Sequence, residues 1–149
     1  MKVEQRLIEL GIELPPPVRP LANYVRTVRT GNLLFVSGTG PAEEFTNGKV
    51  DADISVDDAY RAARSVGLQI LATAKDALGD LDRITRVVKV LGMVNSSPDF
   101  GQQPHVINGC SDLFVEVLGD AGRHTRSAVG MGALPNGIPV EIEVTLEVE

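Results

Sequence analysis

Arg126 opens an apolar run that continues to Met131. After the turn Leu134-Pro135-Asn136-Gly137, the chain alternates strictly from Val140 to Glu149. Val140, Ile142, Val144, Leu146 and Val148 fall on one face of a strand, and Glu141, Glu143, Thr145, Glu147 and Glu149 on the other. Carboxylates in one row repel each other unless water or a cation lies between them, and Arg126 is the nearest cation in sequence that could be delivered there. A guanidinium offers parallel N–H donors that match a carboxylate as a fork, and a fixed carboxylate can orient a water. The pair therefore suits a small carboxylated ligand and an attacking water. A solvated strand face with an unrelated arginine fits the same pattern, and spacing alone leaves both readings open.

No other chemistry competes strongly. His105 and His124 do not form a metal-ligand spacing, so both are expected in surface or packing roles and no metal site is expected. Ser37 and Ser127 lack a motif for activating a nucleophile, and Gly38-Thr39-Gly40 is too short for a phosphate loop. The single cysteine, Cys110, reads as core packing and excludes an internal disulfide.

The elements that must position Arg126 and Glu141 follow from length and patterning. A chain of 149 residues fits one domain, 1–149, that buries about 70% of its unfolded surface. Residues 1–20 form a helix with a Pro-rich extension: Val3 to Leu10 has helical spacing, Gly11 stops it, and Pro15-Pro16-Pro17 and Pro20 extend the chain. Asn23 to Arg29 and Leu33 to Ser37 read as a hairpin around Gly31-Asn32, with Gly38-Thr39-Gly40-Pro41 breaking the second strand. Ser55 is an N-cap for a long amphipathic helix that places Ala59, Ala63, Val66, Ile70, Ala74 and Ala77 inward and ends at Gly79. Ile84 to Val94 is a strand, Ser97 to Pro104 a loop, and His105 to Leu118 a helix with Ile107, Cys110, Phe114 and Val117 inward.

The order is β-β-α-β-α-β-β, an α+β domain in which two helices cover one face of a mixed sheet. The other face is too polar for a second core layer yet carries Val and Leu, so the sheet is expected to complete itself by oligomerising, with ligand sites at the joints. The net charge of −6 argues against a nucleic-acid partner. No apolar run reaches about 18 residues and no signal-peptide pattern is present, so a cytoplasmic protein with no membrane partner is expected.

Together, Gly31-Asn32-Leu33-Leu34-Phe35-Val36-Ser37-Gly38, Arg126-Ser127-Ala128-Val129, Leu134-Pro135 and Val140-Glu141-Ile142-Glu143 resemble the Rid family (YjgF, or reactive intermediate deaminases, some described as L-PSP endoribonucleases) from about Pro20 to Val148. The resemblance implies a chorismate-mutase-like fold, a homotrimer whose sheets line a central barrel, and clefts between subunits for small 2-oxo and 2-imino acids. It implies hydrolysis of 2-imino or enamine acids to 2-oxo acids and ammonium, with no cofactor. Arg126 falls on the carboxylate clamp and Glu141 on the residue that orients the water. Tyr24 matches a tyrosine that closes the cleft, Asn108 a helix asparagine near it, and Ser37 and Gly38 the pocket wall. Ser127 and Ala128 follow the arginine in the binding segment. Ala128 stands where many members have cysteine, Thr39 replaces a frequent glutamine, and Asn23 a proline. With the N-terminal extension, these departures imply a longer-chain subgroup. A non-catalytic sensor of small 2-oxo or amino-acid-derived carboxylates would use the same cleft, while an endoribonuclease is disfavoured by the acidic balance and the absence of a paired-histidine arrangement.

Overall fold

The computed structural model describes residues 2–20 and 22–149. In chain order it contains α1 (Lys2–Glu9), β1 (Thr27–Thr30), β2 (Leu33–Thr39), α2 (Val56–Leu78), β3 (Ile84–Asn95), α3 (Gln103–Leu118), β4 (Thr125–Met131) and β5 (Val140–Val148). Short 3-10 turns at Leu81–Arg83, Gly119–Gly122 and Pro135–Gly137 join the later elements.

Local chemistry accounts for the long helix. The Ser55 side chain accepts the Asp58 amide, Asp57 and Asp58 occupy the first turn, and Gly79 ends α2 at a φ of 80° that suits a residue without Cβ. Its apolar stripe lies on the core, although Ala77 faces solvent and Leu78 takes the last inward place. On α3, Ile107, Cys110, Phe114 and Val117 all point inward as their spacing predicts.

The strands form one mixed sheet in the order β1-β2-β5-β3-β4, antiparallel throughout except for β3 beside β4. This is the expected α+β arrangement, with α2 and α3 on one face. Beneath them Val36, Val90, Ile142, Val144 and Leu146 are almost fully buried. The opposite face is open, leaving Val28 and Phe35 about half exposed at 51% and 45%. Two glycines let the layers close. A Cβ on Gly109 would collide with the Tyr60 carbonyl of α2, and one on Gly92 of β3 would enter Ile107 of α3. Both keep α3 low over the β3–β4 edge.

Four boundaries differ from the sequence expectation, each for a physical reason. The break expected at Gly38-Thr39 is instead a β-bulge: Ser37 and Gly38 together oppose Glu143, and β2 continues to Thr39. The same bulge shortens the first strand to Thr27–Thr30, because regular pairing with β2 ends at Val36. Helix α3 starts at Gln103 and accepts Pro104, since the first turn needs no amide donor there. The N-terminal helix is Lys2–Glu9 and buries Leu7.

Both ends of the chain return to one turn. The Asp82 carboxylate accepts the Lys2 and Val3 amides at 2.6 and 2.8 Å, so a residue far along the chain caps α1. Those Val3 and Lys2 backbone donors hold the Asp82 carboxyl below its ordinary pKa. Next to it, the Glu149 amide donates to the Arg83 carbonyl at 3.0 Å, and Arg83 Nε returns a bond to the Glu149 carbonyl at 2.7 Å. Among the described residues, no helix is long and apolar enough to cross a membrane.

Candidate ligand site

Arg126 is delivered by register. It pairs with Val90 of β3, which pairs with the buried Val144 of β5, so all three side chains belong to the helix-covered face. There α3 meets it. Arg126 Nη1 donates to Asn108 Oδ1 at 2.8 Å and to Ser111 Oγ at 3.2 Å. Asn108 and Ser111 are three residues apart and share one helical face. No carboxylate pairs with Arg126 among the described residues, and its Nη2 and Nε have no hydrogen-bond partner among them. Ala128 shares this face and packs against the core, whereas Ser127 points to the open face beside Leu91.

A second cluster forms around the bulge. Arg26 reaches across it, donating from Nη1 to the Gly38 carbonyl at 3.1 Å and from Nη2 to the Ser37 carbonyl at 3.3 Å and Thr39 Oγ1 at 2.6 Å. The Tyr24 ring lies against that guanidinium, 6.0 Å from its carbon. Ser37 Oγ donates to the Val25 carbonyl at 2.8 Å, fixing the chain that carries Tyr24. Glu141 lies over Gly38 so closely that a Cβ there would stand 2.8 Å from Glu141 Oε2. The open face is hollow beside the bulge: Phe35, Ser37, Lys89, Leu91 and Glu143 line a cavity of about 340 Å³.

The predicted site residues therefore fall into two groups. Tyr24, Ser37, Gly38 and Glu141 come together at the bulge, and Arg126, Asn108 and Ala128 come together under α3. One chain does not unite the groups. Glu141 pairs with Met93 on the open face and Arg126 with Val90 on the covered face. Two inter-strand spacings and three residues separate them, roughly 14 Å at ordinary sheet dimensions.

The structure also enlists residues that the sequence left aside. Arg26 pins the bulge, and Ser111 and His124 continue the contacts of Arg126. Ser111 Oγ lies 2.9 Å from His124 Nε2, and His124 Nδ1 lies 2.6 Å from the Gly122 carbonyl. Burial lowers the His124 pKa and the Arg126 charge lowers it further, partly opposed by the Gly122 carbonyl. Polar residues on the inner flank of an apolar helix, such as Asn108 and Ser111, which directly follow the buried Ile107 and Cys110, were the available signal. Cys110 itself is wholly buried, and that burial pushes its thiol far above its ordinary pKa, which keeps it inert.

A mixed five-stranded sheet with one face covered by two helices is the architecture of a chorismate-mutase-like α+β domain. Residues 4–138 match the family described as "YjgF/chorismate_mutase-like, putative endoribonuclease", and the chain belongs to that family. The match begins inside α1, so it takes in the extension that was expected to precede the family's start, and it ends just before β5. Protein TCP17 of Trypanosoma cruzi is 43% identical over 150 residues, spanning 98% of this chain and 94% of its own. The crystal structure of Atu1372 from Agrobacterium tumefaciens, a protein of unknown function, is 47% identical. It superposes with a TM-score of 0.91 over 99% of this chain and 92% of that one. TdcF of E. coli, solved with bound serine, is 25% identical with a TM-score of 0.60, over 90% of this chain and 94% of that one.

Proposed function

We propose that the protein hydrolyses small 2-imino acids and their enamine tautomers to 2-oxo acids and ammonium, without a metal or organic cofactor, in clefts between the three copies of a homotrimer. The carrying observation is the guanidinium of Arg126, aimed by Asn108 and Ser111 through one nitrogen, with two donor nitrogens left over and no carboxylate facing it among the described residues. Those donors suit a ligand carboxylate as a fork. Glu141 is the matching acceptor for a water, and it stands on the other face of the same sheet, so a second copy must supply it.

In this reading the substrate carboxylate rests on Arg126 of one copy. A water donates a hydrogen bond to Glu141 of the neighbour, and its oxygen adds to the C=N carbon as Glu141 takes the proton. Glu141 passes that proton to the former imine nitrogen, giving a neutral carbinolamine. The hydroxyl proton then moves by way of Glu141 to the amine, and the C–N electron pair leaves with nitrogen as the oxygen becomes the carbonyl. The ammonia released takes a proton from water to become ammonium. Tyr24 and the bulge backbone at Ser37 and Gly38 wall the cleft beside Glu141, with Ser127 and Ala128 on the Arg126 side. The demand on the protein is modest because 2-imines already react with water; holding the carboxylate and placing one water supply the orientation.

A second reading, a non-catalytic receptor for small 2-oxo or amino-acid-derived carboxylates, draws support from the bound serine in TdcF. Nuclease action has the family description behind it, against a net charge of −6 and two histidines with separate duties: His105 packs on Tyr60, and His124 contacts Ser111.

The test generates 2-imino acids with an amino-acid oxidase and traps them with semicarbazide. The protein should reduce semicarbazone formation, and Arg126→Ala should not. An inert wild type across all imines, or a fully active Arg126→Ala, ends the deaminase reading. Arg126-dependent binding of a 2-oxo acid without hydrolysis would select the receptor.

A further inference from the structure

Arg126 ends a chain of hydrogen bonds whose direction is determined by one acceptor. The Gly122 carbonyl can only accept, so His124 Nδ1, 2.6 Å away, carries a proton. In a neutral imidazole Nε2 is then the acceptor, and the Ser111 hydroxyl at 2.9 Å donates to it. With its proton committed to His124, the Ser111 oxygen presents lone pairs to Arg126 Nη1 at 3.2 Å. The order is Arg126 to Ser111 to His124 to Gly122, each group donating to the next.

The surroundings keep this order in place. His124 is packed edge-on against the buried Phe114 ring, with centroids 6.1 Å apart at 83°. Gly122 is itself buried, and a Cβ on it would collide with the Phe114 carbonyl of α3. The relay thus starts from a rigid backbone oxygen and runs along the flank of α3. Asn108 holds the same Nη1 from the preceding turn of the helix. Reversing the imidazole tautomer would set the Nδ1 lone pair against the Gly122 carbonyl oxygen at 2.6 Å, two acceptors facing each other.

We infer that Ser111 and His124 are positioning residues that orient the Arg126 guanidinium for its carboxylate ligand through this directed relay, with the Gly122 carbonyl as its anchor. The inference rests on the carboxylate-binding role of Arg126 proposed above. It adds a determinant of affinity that lies outside the cleft and touches no substrate. Because the relay acts on binding, its loss should raise KM and leave kcat close to wild type. Because its members act in series, their effects should not add.

The experiment uses the full chain and a stable ligand, pyruvate, measured by calorimetry, alongside the imine assay. Ser111→Ala and His124→Phe, the latter keeping a ring against Phe114, should each weaken pyruvate binding by about five- to tenfold, the scale of one ordinary hydrogen bond. The double variant should be no weaker than either single one, and Ser111→Thr, which retains the hydroxyl, should recover most of the affinity. Imidazole nitrogen NMR of the wild type, assigned with His105→Gln, should show His124 protonated on Nδ1. The Arg126 Nη1 protons should exchange with solvent faster in both relay variants. Additive losses, unchanged affinity, an Nε2-protonated His124, or unchanged exchange would each overturn the relay. The two readings fail separately: a wild type that neither binds pyruvate nor hydrolyses imines sinks the function, while the tautomer and the exchange rates still judge the relay.

Discussion

Arg26 and Arg126 are both half-buried arginines at the margins of the sheet, and they are used in opposite ways. Arg26 commits both terminal nitrogens to the protein, on the Gly38 and Ser37 carbonyls and Thr39 Oγ1. Arg126 commits one, to Asn108 and Ser111, and keeps Nη2 and Nε without partners among the described residues. An arginine occupied at both ends behaves as a strut, here bracing the bulge that carries Gly38 beneath Glu141. An arginine gripped at one nitrogen and open at the others behaves as a clamp. Glu141 above the bulge and Arg126 lie on opposite faces of the sheet, which is why the proposed cleft draws on two copies.

The sharpest way to break the comparison is to remove each arginine in turn. Arg126→Ala should lower kcat/KM for imine hydrolysis by about 100-fold or more with little change in stability, since a fork to a carboxylate is lost and no carboxylate partner is left behind. Arg26→Ala should instead cost about 2 kcal/mol of stability through its lost carbonyl contacts, read from urea unfolding. Equal effects on both properties would erase the distinction.

Next in size, Glu141→Gln should lower kcat by roughly 100-fold with KM nearly constant, because an amide does not take a proton from water. Mixing Arg126→Ala and Glu141→Gln chains after joint refolding should restore about a quarter of wild-type activity, the share of joints that pair an intact arginine with an intact glutamate when copies assemble at random. No recovery would place both halves of the site within one chain. Gly38→Ala should cost about tenfold in kcat, since its methyl would press on the Glu141 carboxylate, and little in stability.

The smallest effect concerns His124. Its folded pKa lies below the value of about 6.5 expected when unfolded. The unfolded chain therefore binds that proton more readily, and the associated stability is present above pH 6.5 and lost as the pH falls through the folded pKa. Urea midpoints taken from pH 8 to 5 should decline for the wild type, and His124→Phe should flatten that part of the profile. A parallel decline in both proteins would show that other groups dominate this window.

Much of the fold was legible because local signals agreed. Ser55 and Gly79 bound α2 as read, and the strict alternation of β5 separated its buried valines from its glutamates without ambiguity. The face taken by Arg126 was not legible. Ser127, Ala128, Val129 and Gly130 are small or apolar on both sides of an edge strand, so period-two patterning cannot orient it. Gly38 read as a break because glycine marks both breaks and bulges, and only pairing with Glu143 distinguishes them. The role of His124 depends on how α3 is rotated over β4, a tertiary property with no signature at the residue itself.

Asp82 and Arg83 have a practical consequence beyond the site. Lys2 and Glu149 are moored to adjacent residues of one short turn, so a brief polar linker would span them and allow the chain to be opened elsewhere. The exposed Pro98–Asp99 stretch, between β3 and α3, is the natural place to cut. Such a circular permutant would leave the β2 bulge beside β5 intact and turn the β3–α3 connection into free ends.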